Sequence, residues 1–232
     1  MKKIVLLITA IGAGISANSQ EVCESFSQMK EGTFLEYTNY DRKGKEVSKS
    51  SHTTSEIKKE DGVITAMVTV TSTDLKNKDN TFTSQYTISC EDQTISIDMM
   101  RFFDADRMSQ FGENMDVKVD GNAITFPPDA TVGKQLDDGF ITVSAASGGI
   151  AFMTLTMNIT NRRVTAEETI TTPAGAFDCK KIVYDFESKV GIVKVKGTAE
   201  QWYSEDQILI LSRTKNKKGK ELGDSKLTQL QL

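Results

Sequence analysis

The chain has 232 residues and a net charge of −4, with 28 basic against 32 acidic side chains. That balance excludes the basic face that nucleic-acid binding needs, gives no attraction to anionic lipid, and makes phosphates and acidic polymers poor candidate ligands. The length fits one β domain or two smaller ones.

The first element is a leader. Lys2 and Lys3 precede an apolar run from Ile4 to Ile15 and then a set of small residues, the order of a secretory signal peptide. The run is too short to cross a hydrocarbon core of roughly 30 Å. Cleavage after Ser19 puts Ala17 and Ser19 where a signal peptidase requires small side chains, and predicts a mature domain over residues 20–232 that works in the periplasm or outside the cell. Cys23 follows Gln20, Glu21 and Val22, which are bulky or charged where a lipobox has small residues. No later apolar stretch is long enough for a transmembrane helix, so the mature chain is expected to have none.

From Val63 to Leu211 apolar and polar residues alternate, the period of strands with one face buried. Before that run, "DRKGKE" at Asp41–Glu46 has the same design as "NKKGKE" at Asn216–Glu221, and both read as exposed hairpin turns. "VITAMVTVTST" from Val63 and "TISIDMM" from Thr94 read as strands. In "TFTSQYTISC", Phe82, Tyr86, Ile88 and Cys90 share one face; in "AFMTLTMNIT", Met153, Leu155, Met157 and Ile159 do. The intervening threonines suit a pleated surface. Only "MMRFFDADRMSQFGE", Met99 to Glu113, leaves the pattern, and a short helix or compact loop is expected there. Asp120 and Gly121 suit a type I′ hairpin turn, Gly148 and Gly149 mark another turn, and Pro127 and Pro128 open a connection because proline donates no ladder hydrogen bond. Pro173 and Gly175 turn the chain before "FDCKKIVYDF". Together these elements predict an all-β fold: a curved, mostly antiparallel sheet, either a half-open barrel or two packed sheets, with at most one short helix.

The run "NRRVTAEETITTPAGAFDCKKIVYDF", the C-terminal "QWYSEDQILILSRTKNKKGKELGDSKLTQL", and the earlier "YDRKGKE" and "YTISCEDQTISIDM" resemble the TapB-like family of exported bacterial proteins over nearly all of the mature chain. The resemblance implies export and a β-rich fold and lends no catalytic residue to any position. Members of that family carry a glycine-containing loop after the Trp-Tyr pair, where this chain has Ser204, Glu205, Asp206 and Gln207.

Chemistry is sparsely signalled. A hydrolytic triad needs a histidine base, and the only histidine, His52, lies in the polar stretch "KSSHTTSE", where an exposed position is expected. One histidine and three widely spaced cysteines lack the close pairs of a zinc site, and no phosphate-loop or dinucleotide glycine motif occurs. No metal and no cofactor are expected. A glycosidase needs two carboxylates across a cleft; Asp104, Asp106, Asp137, Asp138, Glu167 and Glu168 are candidates, and solvated surface charge is the competing reading. Cys179 shares a strand face with Phe177 and Val183 and reads as a buried thiol, because a reactive one wants a neighbouring cation and Lys180 points away. A Cys23–Cys90 disulfide would pin the start of the mature chain to the sheet and contribute about 4 kcal/mol in the chain-entropy model; Cys90–Cys179, or no bridge, are the alternatives.

These readings converge on an exported, non-enzymatic envelope protein that binds a hydrophobic small molecule, lipid or peptide in a sheet concavity. Met67, Met153, Met157, Phe82 and Phe152 motivate it, since Met adapts to varied apolar shapes, and Met153, Met157, Phe82 and Trp202 are the candidate ligand contacts. Two alternatives are an accessory subunit that joins an envelope complex through exposed strand edges and a carboxylate hydrolase.

Overall fold

The computed structural model describes residue 23 and residues 30–77, 79, 81–102, 116–127, 129–147 and 150–232. The leader with its cleavage site, Asp104, Asp106, and the turn at Gly148 and Gly149 lie outside the described residues, as does the side chain of Phe152.

Alternation builds almost everything that is described. The strands are β1 (Phe34–Asp41), β2 (Glu46–Glu60), β3 (Val63–Asp74), β4 (Thr81–Glu91), β5 (Thr94–Asp98), β6 (Asp116–Gly121), β7 (Ala123–Phe126), β8 (Gly139–Ser147), β9 (Ile150–Thr172), β10 (Gly175–Val190), β11 (Val193–Ser204), β12 (Leu209–Asn216) and β13 (Glu221–Gln231). A 3-10 turn, Met99–Phe102, follows β5. Every strand pairing is antiparallel, and the thirteen strands form one sheet in the order β6-β8-β9-β10-β11-β12-β13-β1-β2-β3-β4-β5-β7.

That order curls the sheet into a nearly closed barrel. β6 and β7 stand at its opposite ends, yet only Asn122 separates them in the chain. One extended run therefore pairs first with β8, up to Gly121 opposite Ile141, and then with β5, from Ala123 opposite Asp98. This corrects the expected type I′ hairpin at Asp120 and Gly121: both residues belong to β6, and β6 does not pair with β7. The glycine is there for a close approach, since a Cβ on it would stand 2.6 Å from the Phe140 carbonyl oxygen. Asn122 supplies the next rung with its own amide. Its backbone N–H donates to the Phe140 carbonyl at 3.0 Å, its Oδ1 accepts from the Phe140 N–H at 2.7 Å, and its Nδ2 donates to the Asp138 carbonyl at 3.1 Å.

Arg162 fastens the same seam from inside. Although 1% exposed, it donates to the carbonyls of Asp137 at 2.7 Å and Thr125 at 3.2 Å, and its guanidinium lies 5.2 Å from the centre of the Phe126 ring. Buried charge is tolerated when such bonds replace water.

The two lysine-glycine-lysine turns have one geometry. Asp41 Oδ1 accepts from the N–H groups of Lys43 and Lys45, Asn216 Oδ1 from those of Lys218 and Lys220, and Gly44 and Gly219 both adopt φ 74°. A side chain that closes its own turn, followed by a left-handed residue, is the three-residue hairpin loop. Ser204–Ile208 makes the same turn without glycine: the Ser204 N–H donates to Ile208 O, the Gln207 N–H to Ser204 O, and Gln207 takes φ 58°.

One apolar core fills much of the interior. Ala66 and Val68 of β3, Tyr86, Ile88 and Cys90 of β4, and Ile95 and Ile97 of β5 pack with Met99 and with Ile124, Phe126, Ile141, Val143, Leu155 and Ile159. Cys90 is bonded to Cys23, and the Cys23 N–H also donates to Gln93 Oε1 at 3.1 Å.

Candidate functional site

The core does not reach the whole length of the barrel. Towards the end that carries the Asp41–Glu46 and Asn216–Glu221 turns, the inward positions change from apolar to hydroxyl-bearing: Val70 gives way to Ser72 on β3 and Tyr86 to Ser84 on β4, while β2 and β12 contribute Ser50 and Ser212. Small polar side chains leave space, and a cavity of about 310 Å³ remains. Its opposite wall is apolar, with Met157 and Ile159 of β9, Tyr184 and Phe186 of β10, and Ala199 of β11.

Its floor is built by the 3-10 turn. Met99, with no exposed surface, anchors the turn in the core, and Asp98 Oδ1 accepts the Met100 N–H at 2.8 Å. Met100, Arg101 and Phe102 then line the cavity. Gly139 makes room for the anchor, because a Cβ there would come within 3.0 Å of the Met99 sulfur. Below Arg101 the space narrows into a pocket of about 20 Å³ among Leu35, Val68, Ile88 and Ile208.

Around Arg101 stands a group of aromatic and polar side chains. Its guanidinium lies 5.6 Å from the centre of the Tyr86 ring. His52 sits between Tyr37 and Tyr86, with ring centroids at 4.9 and 5.8 Å in edge-to-face contact, and its Nδ1 shares a 3.2 Å hydrogen bond with the Tyr86 hydroxyl. Burial, and secondarily the positive charge of Arg101, push the imidazole down to about 3, so it is neutral at physiological pH. Burial also raises the Tyr37 phenol, and the guanidinium of Arg101 opposes it. The Tyr37 hydroxyl is turned towards the Arg101 guanidinium, which can only donate to it, and its own O–H finds no acceptor.

His52 was expected at the surface; it is buried, 9% exposed. The physical reason is that β2 lines the cavity rather than the core, so its inward set, Ser50, His52 and Thr54, is polar and imitates an exposed face. The net charge says nothing of the cavity itself. The acidity belongs to the chain as a whole; among the described residues Arg101 is the only formally charged side chain on the cavity wall.

Of the four candidate ligand contacts, Met157 lines the cavity, and Met153 and Phe82 are half-buried away from it. Trp202 is buried on the face opposite Gln201, hence outside the barrel: its Nε1–H donates to Glu168 at 2.7 Å, and Lys181 and Arg213 lie over its ring. Met67 also takes the outward face of β3, next to inward Ala66 and Val68. The cavity-lining residues missed in the sequence are Arg101, Tyr37, His52 and the serines. A lone arginine inside "DMMRFF", and serines in register with core residues, are the signals that carry them.

The carboxylates act elsewhere. Asp137 Oδ2 accepts from Thr125, Asp138 Oδ1 accepts the Asn161 N–H, and Glu168 holds Trp202. Cys179 is 4% exposed, and burial pushes its thiol up to about 11, which keeps it protonated. Among the described residues no three His, Cys, Asp or Glu side chains converge as metal ligands.

A family model described as DUF3108-like matches residues 30–227. The chain belongs to the DUF3108-like family. No curated protein matches it. Among solved structures, this DUF3108-like chain is similar to a Bacteroides fragilis protein described as exported and as having a YmcC-like fold, at 20% identity and TM-score 0.72, covering 88% of this chain and 97% of that one. A Parabacteroides distasonis protein described as a lipoprotein is similar at 20% identity and TM-score 0.72, with 87% and 96% covered. Likeness at that identity establishes the shared fold.

Proposed function

We propose that this protein is an exported, non-enzymatic binding protein that holds a hydrophobic small molecule, or one acyl or apolar segment of a lipid or peptide, inside its barrel. The observation that carries the reading is the cavity of about 310 Å³ between an apolar wall and a hydroxyl-bearing one, a size within the usual range of ligand pockets. The leader-like N-terminus, the resemblance to the TapB-like family, and solved neighbours described as an exported protein and a lipoprotein support an envelope location. Association through sheet edges draws less support, because the outermost strands β6 and β7 have 6 and 4 residues.

Native mass spectrometry of protein purified without detergent from its own envelope tests the reading. A discrete small-molecule adduct is expected. Bare protein, together with no displacement of an apolar fluorescent probe by alkyl ligands, overturns it.

A further inference from the structure

We infer that the cavity ligand is an amphiphile with a monoanionic, carboxylate-like head, received by the Arg101 guanidinium and the Tyr37 hydroxyl, with its apolar body against Met157, Ile159, Tyr184 and Phe186. This rests on the reading of the barrel as a ligand carrier.

Two independent features of the wall carry it. Arg101 is a permanent cation; among the described residues the lining carries no carboxylate and Arg101 makes no ion pair. A cation that meets no counter-charge among the described residues is best satisfied by an anion held in the cavity. Separately, Tyr37 is 2% exposed, borders the same cavity, and keeps an O–H with no acceptor. A guanidinium fork and one hydroxyl match the two oxygens of a carboxylate. His52 is neutral and already engaged with Tyr86, and the second interior cation, Arg162, spends donors on the carbonyls of Asp137 and Thr125. Among the described residues a dianionic phosphate would thus meet only one available cation.

Volume sets the body. A cavity of about 150 Å³ holds benzene, so about 310 Å³ takes on the order of a dozen heavy atoms at the same density. Decanoate has that size. The serines of the other wall leave room for water around the head.

The test is isothermal titration of the mature protein with decanoate, decanol and decyl phosphate, for wild type, Arg101→Met and Tyr37→Phe, each checked by circular dichroism. Decanoate is expected to bind wild type most tightly. Arg101→Met is expected to weaken it about tenfold or more and Tyr37→Phe about threefold to tenfold, with decanol unchanged in both. Equal binding of decanoate and decanol by wild type, or indifference of decanoate to both substitutions, overturns the head-group assignment and leaves the carrier reading standing. Tighter binding of decyl phosphate than of decanoate overturns the carboxylate class. Failure of all three ligands to bind wild type sinks the carrier reading itself. Should Arg101→Met fail to fold, the wild-type ranking and Tyr37→Phe still decide.

Discussion

His52 and Tyr37 make the barrel interior measurable one side chain at a time. An imidazole in the unfolded chain titrates near about 6.5, whereas the folded one, hemmed in by Tyr37, Tyr86 and the Arg101 charge, titrates near about 3. Between those values the unfolded state takes up a proton that the folded state refuses. His52 therefore contributes stability that is full above about pH 6.5 and is lost as pH falls towards 3, at up to about 1.4 kcal/mol per pH unit. In urea unfolding at pH 7 and pH 5, His52→Gln should lose about 2 kcal/mol less than wild type between the two conditions. Tyr37 predicts a gain. Its O–H is buried without an acceptor, so Tyr37→Phe should raise the stability of the ligand-free protein by about 1 kcal/mol in thermal or urea unfolding. A drop would mean that the hydroxyl has an internal partner.

At the scale of the element, turns and seam obey different rules. Gln207 occupies the left-handed position that Gly44 and Gly219 fill in the sister turns, and a side chain there is strained by about 1 kcal/mol. Gln207→Gly should raise the melting temperature by the equivalent of about 0.5–1 kcal/mol, while Gly44→Ala should lower it. The seam depends on one side-chain amide serving as a ladder rung. Asn122→Ala removes its bonds to Phe140 and Asp138 and should cost about 2 kcal/mol, with hydrogen exchange accelerating first in β6 and β7. A global change spread evenly over all strands would count against a local fastening role.

At the scale of the whole molecule, the Cys23–Cys90 bond spans 67 positions, and closing so long a loop restricts the unfolded chain more than the folded one. Replacing both cysteines with alanine should lower stability by about 2–4 kcal/mol while the far-ultraviolet spectrum stays β-rich. The strands and their inward faces were legible in the sequence, because Tyr86, Ile88 and Cys90 repeat at the period of a pleat. The seam was not: Asp120-Gly121 is a good turn by local rules, and only Phe140, remote in the chain, makes it a strand. The site was half legible for a related reason. Apolar periodicity finds Met157, but it equally finds Phe82 and Met153, which do not border the cavity, and Trp202, which packs outside the barrel. Space inside a barrel is made by what is small or polar on an inward face, as at Ser72, Ser84 and His52.

Residues 116–126 hold both margins of the wall with one continuous length of backbone. Such a hoop cannot part sideways without tearing rungs, so on the proposed carrier reading a ligand would travel along its axis. Exposed Lys43, Lys45, Lys218 and Lys220 stand at the tips of the bends on the cavity side, where an anionic ligand of the proposed kind would meet them before the arginine within.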